Sequence, residues 1–195
     1  LSFNGTNASV SIPDSSSLDV TTGMTIEAWL NPTALGNTWR TVALKEQPGY
    51  YAYGLYASTG AGTSVPSGNA MIGAVDRDVR GTAQLPLNTW THLATTYDGS
   101  ALRLYVNGTQ VATLAATGSI VTSTGVLKFG GNALWGEWYA GLIDELRVYN
   151  RALTPAEIQG DMTRPVTGGD TTAPSVPGGL GAVGSVGRAT LSWSA

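Results

Sequence analysis

Apolar residues occupy every second position in several short segments of the chain, which is the pattern of β-strands that bury one face. One such segment spans residues 24–31 and ends at Asn31-Pro32. Another spans residues 102–106 and is followed by Asn107-Gly108 and a further alternating segment. Because Asn-Gly adopts the positive φ angles of a type I′ turn, the sequence predicts a β-hairpin there.

Short strands of this kind recur along the chain, and only one helix is indicated. The other strand segments are residues 10–12, 42–45, 51–56, 70–75 and 126–130. The helix is expected to begin after Thr154, because Thr154 and Glu157 form a capping box and Pro155 suits the first helical position. Many short strands with turn residues between them predict an all-β sandwich or barrel.

The segment 141–150 is the most informative strand, because it places a carboxylate in phase with apolar residues. Asp144 alternates with Leu142, Leu146 and Val148, so all four are expected on the core side of the strand. A carboxylate on that side is costly unless it is hydrogen-bonded or bound to a cation. Asp144 is therefore either a metal ligand or a hydrogen-bonded residue near the end of the strand.

Composition excludes several classes of function. The 195 residues are enough for one sizeable domain and a remnant. Charged residues make up 12% of the chain and the net charge is −3, which argues against nucleic-acid binding. Cysteine is absent, which excludes disulfides, thiolate metal sites and cysteine nucleophiles. No apolar run approaches the roughly 18 residues of a membrane span, and the opening without Met or a signal peptide indicates an excised segment.

Several motifs occur in an order that is typical of one family. They lie in residues 3–13, 24–32, 90–108 and 143–158, and the last contains Ile-Asp-Glu-Leu-Arg-Val-Tyr before the predicted helix. Together they resemble laminin G-like domains, a group of pentraxin and concanavalin A-like jelly rolls. The resemblance extends to about Met162 and implies an all-β fold, a two-sheet antiparallel jelly-roll sandwich with one short C-terminal helix.

Composition changes after Met162. Residues 164–173 are rich in Gly, Thr and Pro and are predicted to be a linker. Residues 174–195 resemble the truncated start of a fibronectin type III domain. The predicted organisation is thus a jelly roll over 1–163, the linker, and this second domain. By resemblance, the parent is expected to be a multidomain protein that is secreted or at the cell surface.

The resemblance also implies a structural Ca²⁺. Jelly rolls of this superfamily often hold Ca²⁺ where the last strand meets the N-terminal segment. In laminarinase-like glucanases the ligand lies in an Asp-x-Val-Arg-Val-Tyr strand, and the matching residue here is Asp144. Asn4 and Gly5 would contribute oxygen atoms, the ligand type that Ca²⁺ prefers.

Aromatic residues near turns indicate a glycan site, since sugar sites combine aromatic faces with a few fixed polar groups. The candidates are Trp135, Trp138 and Tyr139 in a glycine-bounded loop, Tyr51 and Lys45 on an open sheet face, and Arg77 and Arg80 on the rim. The alternative for the loop aromatics is that they cover an edge of the sandwich. The alternative for the charged cluster 76–80 is a solvated loop with local ion pairs.

Catalytic patterns are missing from the sequence. A Ser-His-Asp triad would need His92, the single histidine, and there is no Gly-x-Ser-x-Gly motif. The glutamates do not form the Glu-x-Asp-x-x-Glu pattern of laminarinase-like glucanases. We therefore expect a non-catalytic carbohydrate-binding or adhesion module whose partner is a polysaccharide or glycan. The alternatives are a protein-interaction or spacer domain without sugar binding, and a glycan-cleaving enzyme.

Overall fold

The computed structural model describes residues 1–60, 62–166, 178–185 and 188–194, in two units, Leu1–Pro165 and Val166–Ala195. The first unit contains two six-stranded antiparallel sheets, a small two-stranded hairpin and one α-helix. The predicted fold class, an all-β sandwich of two antiparallel sheets with one short C-terminal helix, is confirmed.

Each sheet is assembled from strands that are distant in sequence. Sheet A runs in the order β1 (Ser2–Asn4), β14 (Ala140–Tyr149), β3 (Met24–Ala34), β8 (Thr91–Tyr97), β9 (Ala101–Val106) and β10 (Thr109–Ala115). Sheet B runs in the order β2 (Val10–Ile12), β11 (Leu127–Phe129), β4 (Arg40–Gln47), β5 (Tyr50–Ser58), β6 (Ser67–Ile72) and β7 (Val75–Arg80). The hairpin consists of β12 (Gly131–Asn132) and β13 (Glu137–Trp138), and the helix α1 spans Pro155–Asp161.

The hydrophobic core lies between the two sheets. Strands β3, β5 and β8 contribute alternate apolar residues such as Leu30, Leu55 and Leu93, all of them fully buried. The sheets approach closely at Gly68, where a Cβ atom would lie 2.0 Å from Oγ1 of Thr95. Glycine is therefore required at this point of β6 by the space between the sheets.

Both local signals at turns and caps are confirmed. Strands β9 and β10 form the predicted hairpin, with φ angles of 49° at Asn107 and 72° at Gly108. The capping box at the start of α1 has both of its hydrogen bonds, between Thr154 and Glu157.

The charged cluster 76–80, expected to be a solvated loop, is instead the edge strand β7. Val79 is buried in the core, whereas Asp76 and Arg80 are exposed. The solvated-loop alternative was therefore wrong about the secondary structure, whereas a local ion pair is present between Arg80 and Asp78. Charged residues at alternate positions on an edge strand protect it from pairing with another chain.

Asp144 is exposed, contrary to the expectation that it faces the core. The residue that faces the core is its neighbour Ile143, which is 2% exposed. Beyond Asp144 the pairing with β3 gains one residue, and Glu145 has a φ angle of 51°. This β-bulge changes the face to which later side chains point, so Leu146 and Val148 do pack against the core.

A second bulge changes the facing of β5. Lys45 pairs with Tyr53 and Glu46 pairs with Tyr51, so β5 has one extra residue at Ala52. Ala52 and Tyr53 both join the core, whereas Tyr51 belongs to a separate cluster on the opposite face of sheet B. Simple alternation would place Tyr51 on the same face as Tyr53, in the core. The bulge instead turns Tyr51 to the outer face of the sheet.

Helix α1 covers the outer face of sheet A. Ile158 and Leu153 pack there against Ala94 and Tyr105, and all four residues are at most 4% exposed. Among the described residues of the first unit, no α-helix covers the outer face of sheet B. That open face carries the candidate site.

Two ionisable side chains, Glu27 and His92, are fully buried on the covered face of sheet A. Oε2 of Glu27 lies 3.8 Å from Nε2 of His92, and its Oε1 lies 3.5 Å from Nη1 of Arg147. Within the described residues, Oε2 of Glu27 and both ring nitrogens of His92 have no hydrogen-bond partner. Burial, with the nearby Asp161, raises the pKa of Glu27 to about 7, and burial lowers the pKa of His92 to about 4.

The second unit contains two antiparallel strands, β15 (Gly178–Ser185) and β16 (Arg188–Ser194). The predicted linker 164–173 and the predicted start of the second domain at residue 174 lie largely outside the described residues. The assignment of residues 174–195 to the fibronectin type III family stays a prediction.

We predict opposite pH dependences for two variants of the buried pair. In His92→Gln, the free energy of unfolding should fall as pH rises from 4.5 to about 7, because folded Glu27 keeps its proton where the unfolded chain has lost it. In Glu27→Gln, the free energy of unfolding should rise between about pH 4 and 6.5, because His92 stays neutral in the folded chain at pH values where it is protonated in the unfolded chain. Urea unfolding over this pH range measures both trends, and parallel trends in the two variants would contradict the assignment.

Candidate functional site

A cleft with a volume of about 280 Å³ lies on the outer face of sheet B. It is lined by five aromatic residues, three carboxylates, one guanidinium and one amide. These residues are Trp39, Tyr50, Tyr51, Tyr56, Trp135, Asp76, Asp78, Glu137, Arg80 and Asn69. They come from strands β5, β6 and β7, the loop before β4, and the β12–β13 hairpin.

Tyr50 and Tyr51 form a stacked pair, with ring centroids 4.8 Å apart and an angle of 15° between the rings. Both hydroxyl groups donate hydrogen bonds to the carboxylate of Asp76. The Tyr50 hydroxyl donates to Oδ2 at 2.6 Å, and the Tyr51 hydroxyl donates to Oδ1. The amide of Asn69 donates to the Tyr51 hydroxyl at 3.4 Å. These bonds fix the two rings, and the bond to Asp76 raises the pKa of Tyr50 to about 12.

A second aromatic pair lies in the same cleft. The rings of Trp39 and Tyr56 meet edge to face at 4.9 Å, and the guanidinium of Arg80 lies 5.7 Å from the Trp39 ring centre. Nε and Nη2 of Arg80 are each 2.5 Å from Oδ2 of Asp78. Arg80 is therefore held between an aromatic face and a carboxylate on its own strand.

The β12–β13 hairpin brings Trp135 to the tyrosine pair. Its ring is 42% exposed and contacts Tyr50 at 5.7 Å and Tyr51 at 6.1 Å, both edge to face. The backbone N–H of Trp135 donates to Oδ1 of Asn132 at 3.0 Å, which fixes the turn. Trp135 thus extends the aromatic surface of the cleft and remains open to solvent.

Glu137 occupies the inner side of the hairpin. Its Oε2 accepts hydrogen bonds from Nδ2 of Asn132 at 2.8 Å and from Oγ1 of Thr41 at 3.3 Å. Burial raises the pKa of the Glu137 carboxyl, although hydrogen bonds from Asn132, Thr41 and Tyr56 act in the opposite direction. The carboxylate is thus stabilised by neutral donors.

Three of the seven predicted ligand-binding residues, Tyr51, Trp135 and Arg80, line this cleft together. The structure brings them together from three separate parts of the chain. Their contact with a ligand stays a prediction.

The other four predicted ligand-binding residues lie elsewhere. Lys45 is fully buried and donates to Asp14 and to the carbonyl of Gly125. Tyr139 is also fully buried, in the core. Neither side chain can therefore reach a ligand at the surface, which corrects the expectation for both.

Trp138 and Arg77 do not line the cleft. Trp138 is half-buried and its ring covers Gly131, where a Cβ atom would come within 2.3 Å of the ring. This agrees with the alternative reading of Trp138 as a cover for the edge of the sandwich. Arg77 alternates with Asp76 and Asp78 along β7, so its side chain points away from them.

Seven lining residues were not among the predicted ligand-binding residues. They are Trp39, Tyr50, Tyr56, Asn69, Asp76, Asp78 and Glu137. The spacing of Asp76, Asp78 and Arg80 by two residues was the signal available for β7, because such residues share one face of a strand. No sequence signal connects Glu137 or Asn69 to this face, since their positions depend on the pairing of the strands.

The residues expected to hold Ca²⁺ do not form one site. Asn4 pairs with Ala140 of β14, so Asp144 lies four residues further along, about 13 Å away. Oδ1 of Asn4 accepts the N–H groups of three following residues, Thr6, Asn7 and Ala8. The N–H of Gly5 donates to the carbonyl of Tyr139 at 2.9 Å.

The donor set around Asp144 is correspondingly poor. Its Oδ1 accepts the N–H of Glu145 at 3.0 Å, and the side chain is exposed. Within the described residues, no group of three or more acidic or histidine side chains could hold a metal ion. Asp144, Asn4 and Gly5 thus do not fit a shared Ca²⁺ site, and Ca²⁺ binding stays a prediction from the resemblance.

The chain belongs to the concanavalin A-like lectin/glucanases superfamily, because the laminin G family model of that description matches residues 4–159. Among the described residues, no helix is long and apolar enough to cross a membrane.

Solved structures with the same fold include carbohydrate-related proteins. The chain is similar to domain 4 of AbnA, an extracellular arabinanase from Geobacillus stearothermophilus that was solved with arabinotriose, at 25% identity and a TM-score of 0.68. This match covers 82% of the chain and 74% of that domain. A candidate carbohydrate-binding protein from Bacteroides ovatus matches at 20% identity with a TM-score of 0.64, over 82% of this chain and 47% of that one.

A relative by sequence is pappalysin-1 of Mus musculus, which is 42% identical over 78 residues. The match covers 37% of this chain and 5% of pappalysin-1. The human protein matches to the same extent. The chain therefore corresponds to only a small part of this relative.

The placement of Asp144 predicts the outcome of a calcium test. Asp144→Ala should change the melting temperature little, in Ca²⁺ and in EDTA alike, because an exposed side chain contributes at most about 0.5 kcal/mol. Thermal unfolding followed by circular dichroism measures this. A melting temperature that Ca²⁺ raises in the parent chain but not in Asp144→Ala would contradict the structural assignment.

Proposed function

We propose that this chain is a non-catalytic carbohydrate-binding module whose site is the aromatic cleft of sheet B. The observation that carries the proposal is the combination of fixed aromatic rings with hydrogen-bonding side chains in one open cleft. Sugar rings have apolar C–H faces and polar hydroxyl edges, and sites of this composition match both. A role in packing the hydrophobic core does not explain why Trp135 is 42% exposed beside two ordered tyrosines.

The cleft offers distinct surfaces for the two sides of a sugar. Trp135 and Tyr50 provide aromatic surface that can stack on C–H groups of a sugar ring. Asn69, Asp76 and Glu137 provide acceptors and donors for hydroxyl groups. Because the hydrogen bonds to Asp76 already order the tyrosine pair, little side-chain entropy would be lost on binding.

The comparisons support this proposal. The arabinanase domain solved with arabinotriose has the same fold at 25% identity, which makes a neutral oligosaccharide a reasonable ligand class to test first. The fold alone does not decide function, because one fold hosts many activities. The argument therefore depends on the residues of the cleft.

The module would act by targeting. An attached domain would be held near a polysaccharide and would experience it at a high effective concentration. We propose that the parent is a secreted or cell-surface multidomain protein in which residues 174–195 begin a fibronectin type III domain. The extracellular arabinanase among the similar structures is consistent with that location.

Two alternatives remain to be separated by experiment. A protein-interaction or spacer domain would not need an aromatic cleft with ordered polar groups. A glycan-cleaving enzyme would need a carboxylic acid and a free carboxylate across the bond. Asp76, Asp78 and Glu137 share the cleft, but each is engaged by hydroxyl, guanidinium or amide groups, which favours binding over cleavage.

We predict that the chain is retarded in affinity electrophoresis by at least one soluble polysaccharide, with arabinan in the panel. Trp135→Ala should weaken this binding about tenfold, because an aromatic anchor in a site contributes 1 kcal/mol or more. Trp90→Ala is the matched control, since Trp90 is 43% exposed but lies outside the cleft.

Each alternative has its own result in this experiment. An equal loss of polysaccharide binding in Trp90→Ala would show that the cleft is not the binding site. Retardation by no polysaccharide would favour the protein-interaction reading. Release of reducing sugar that Glu137→Gln abolishes would establish cleavage instead of binding.

A further inference from the structure

The cleft carries a negative charge that the overall composition does not reveal. Its lining contains three carboxylates and one guanidinium, a formal charge of −2. The whole chain has a net charge of only −3 over 195 residues. The lining is thus acidic, because three of the 13 acidic residues but only one of the ten Lys and Arg residues lie in it.

The positive charge of Arg80 is already used. Its guanidinium forms a close pair with Asp78 and lies over the ring of Trp39. Among the lining residues that the structure describes, Arg80 is the only cation. The carboxylate of Asp78 therefore compensates the charge that Arg80 would offer to an anionic group of a ligand.

Asp76 and Glu137 are stabilised by neutral donors. Asp76 accepts two tyrosine hydroxyls and is exposed, so a carboxylate with about four acceptor positions retains some for a ligand. Glu137 accepts bonds from Asn132 and Thr41, and burial raises the pKa of its carboxyl. A cation in the cleft would favour the charged form of both groups.

We propose that the cleft selects glycans that carry a protonated amino group, such as chains of glucosamine, over neutral glycans, and rejects glycans that carry carboxylate or sulfate. This inference depends on the proposed function, because it names the class of sugar that the same cleft takes. The ammonium group would lie between the acceptors of Asp76 and Glu137, while aromatic rings contact the apolar face of the sugar. Aromatic faces also attract cations directly, which adds to the preference.

The test compares three oligosaccharides that differ in charge. These are a glucosamine hexamer, its fully N-acetylated form and an oligogalacturonate, titrated at mildly acidic pH where the amine is protonated. Binding is followed by NMR through the indole N–H signals of Trp39 and Trp135, which report on the cleft. The glucosamine hexamer should bind about three- to tenfold more tightly than its N-acetylated form, as expected for one or two partly exposed charge pairs. The oligogalacturonate should bind most weakly.

Variants connect the preference to the cleft. The double variant Asp76→Asn, Glu137→Gln should lose the preference for the amine, so that it binds the two hexamers with equal affinity. Asp144→Asn is the matched control, because it removes one exposed carboxylate outside the cleft and should leave the preference unchanged. As a measurement independent of the folding of the variants, high salt should reduce the preference in the parent chain, because it screens charges that are partly exposed.

The results separate the inference from the proposed function. Equal affinity for the amine and N-acetylated hexamers, or a preference that survives in the double variant, would overturn the charge selection and leave sugar binding intact. A preference that falls equally in Asp144→Asn would mean general attraction to an acidic protein and would also overturn it. Choline that shifts the same indole signals as strongly as glucosamine would show recognition of an ammonium group without a sugar. Failure to bind any of these oligosaccharides or the polysaccharide panel would overturn both proposals.

Discussion

The structure depends on one requirement, that every strand turns an apolar side toward the space between two sheets. Close packing leaves so little room that a Cβ atom at Gly68 would collide with Thr95 of the opposite sheet. A strand can satisfy this requirement by strict alternation, or by a bulge that changes its facing part of the way along. Both solutions occur in this chain, and the bulges decide which side chains reach solvent.

The two bulges have opposite consequences for function. In β5 the extra residue at Ala52 directs Tyr51 away from the core and into the cleft. In β14 the bulge after Asp144 allows Leu146 and Val148 to face the core while Asp144 remains exposed. The residue that looked most like a buried metal ligand is therefore on the surface, and an aromatic side chain that could have been structural lines the site.

One outer face of the sandwich is covered and the other is open. Helix α1 covers the face of sheet A, and there Glu27 and His92 are buried beside Arg147. Two ionisable groups without full hydrogen bonding are costly. Burial favours the neutral form of each, because it raises the pKa of Glu27 and lowers the pKa of His92. The face of sheet B stays open, and its aromatic and acidic side chains are ordered by contacts with one another. The open face of sheet B is thus the face on which we propose ligand binding.

The sequence by itself determined the fold class, the family, the hairpin at Asn107-Gly108 and the cap of the helix. These features depend on periodicity and on residues within a few positions of each other, so a linear pattern records them. It also indicated Tyr51, Trp135 and Arg80 as candidates, because aromatic and charged residues near turns are visible as composition. Only the tertiary structure decided that these three share a cleft with Asn69 and Glu137, that Lys45 and Tyr139 are buried, and that Asn4 and Asp144 are far apart. Strand register and bulges set those relations through contacts between residues distant in sequence, which alternation along one strand does not encode.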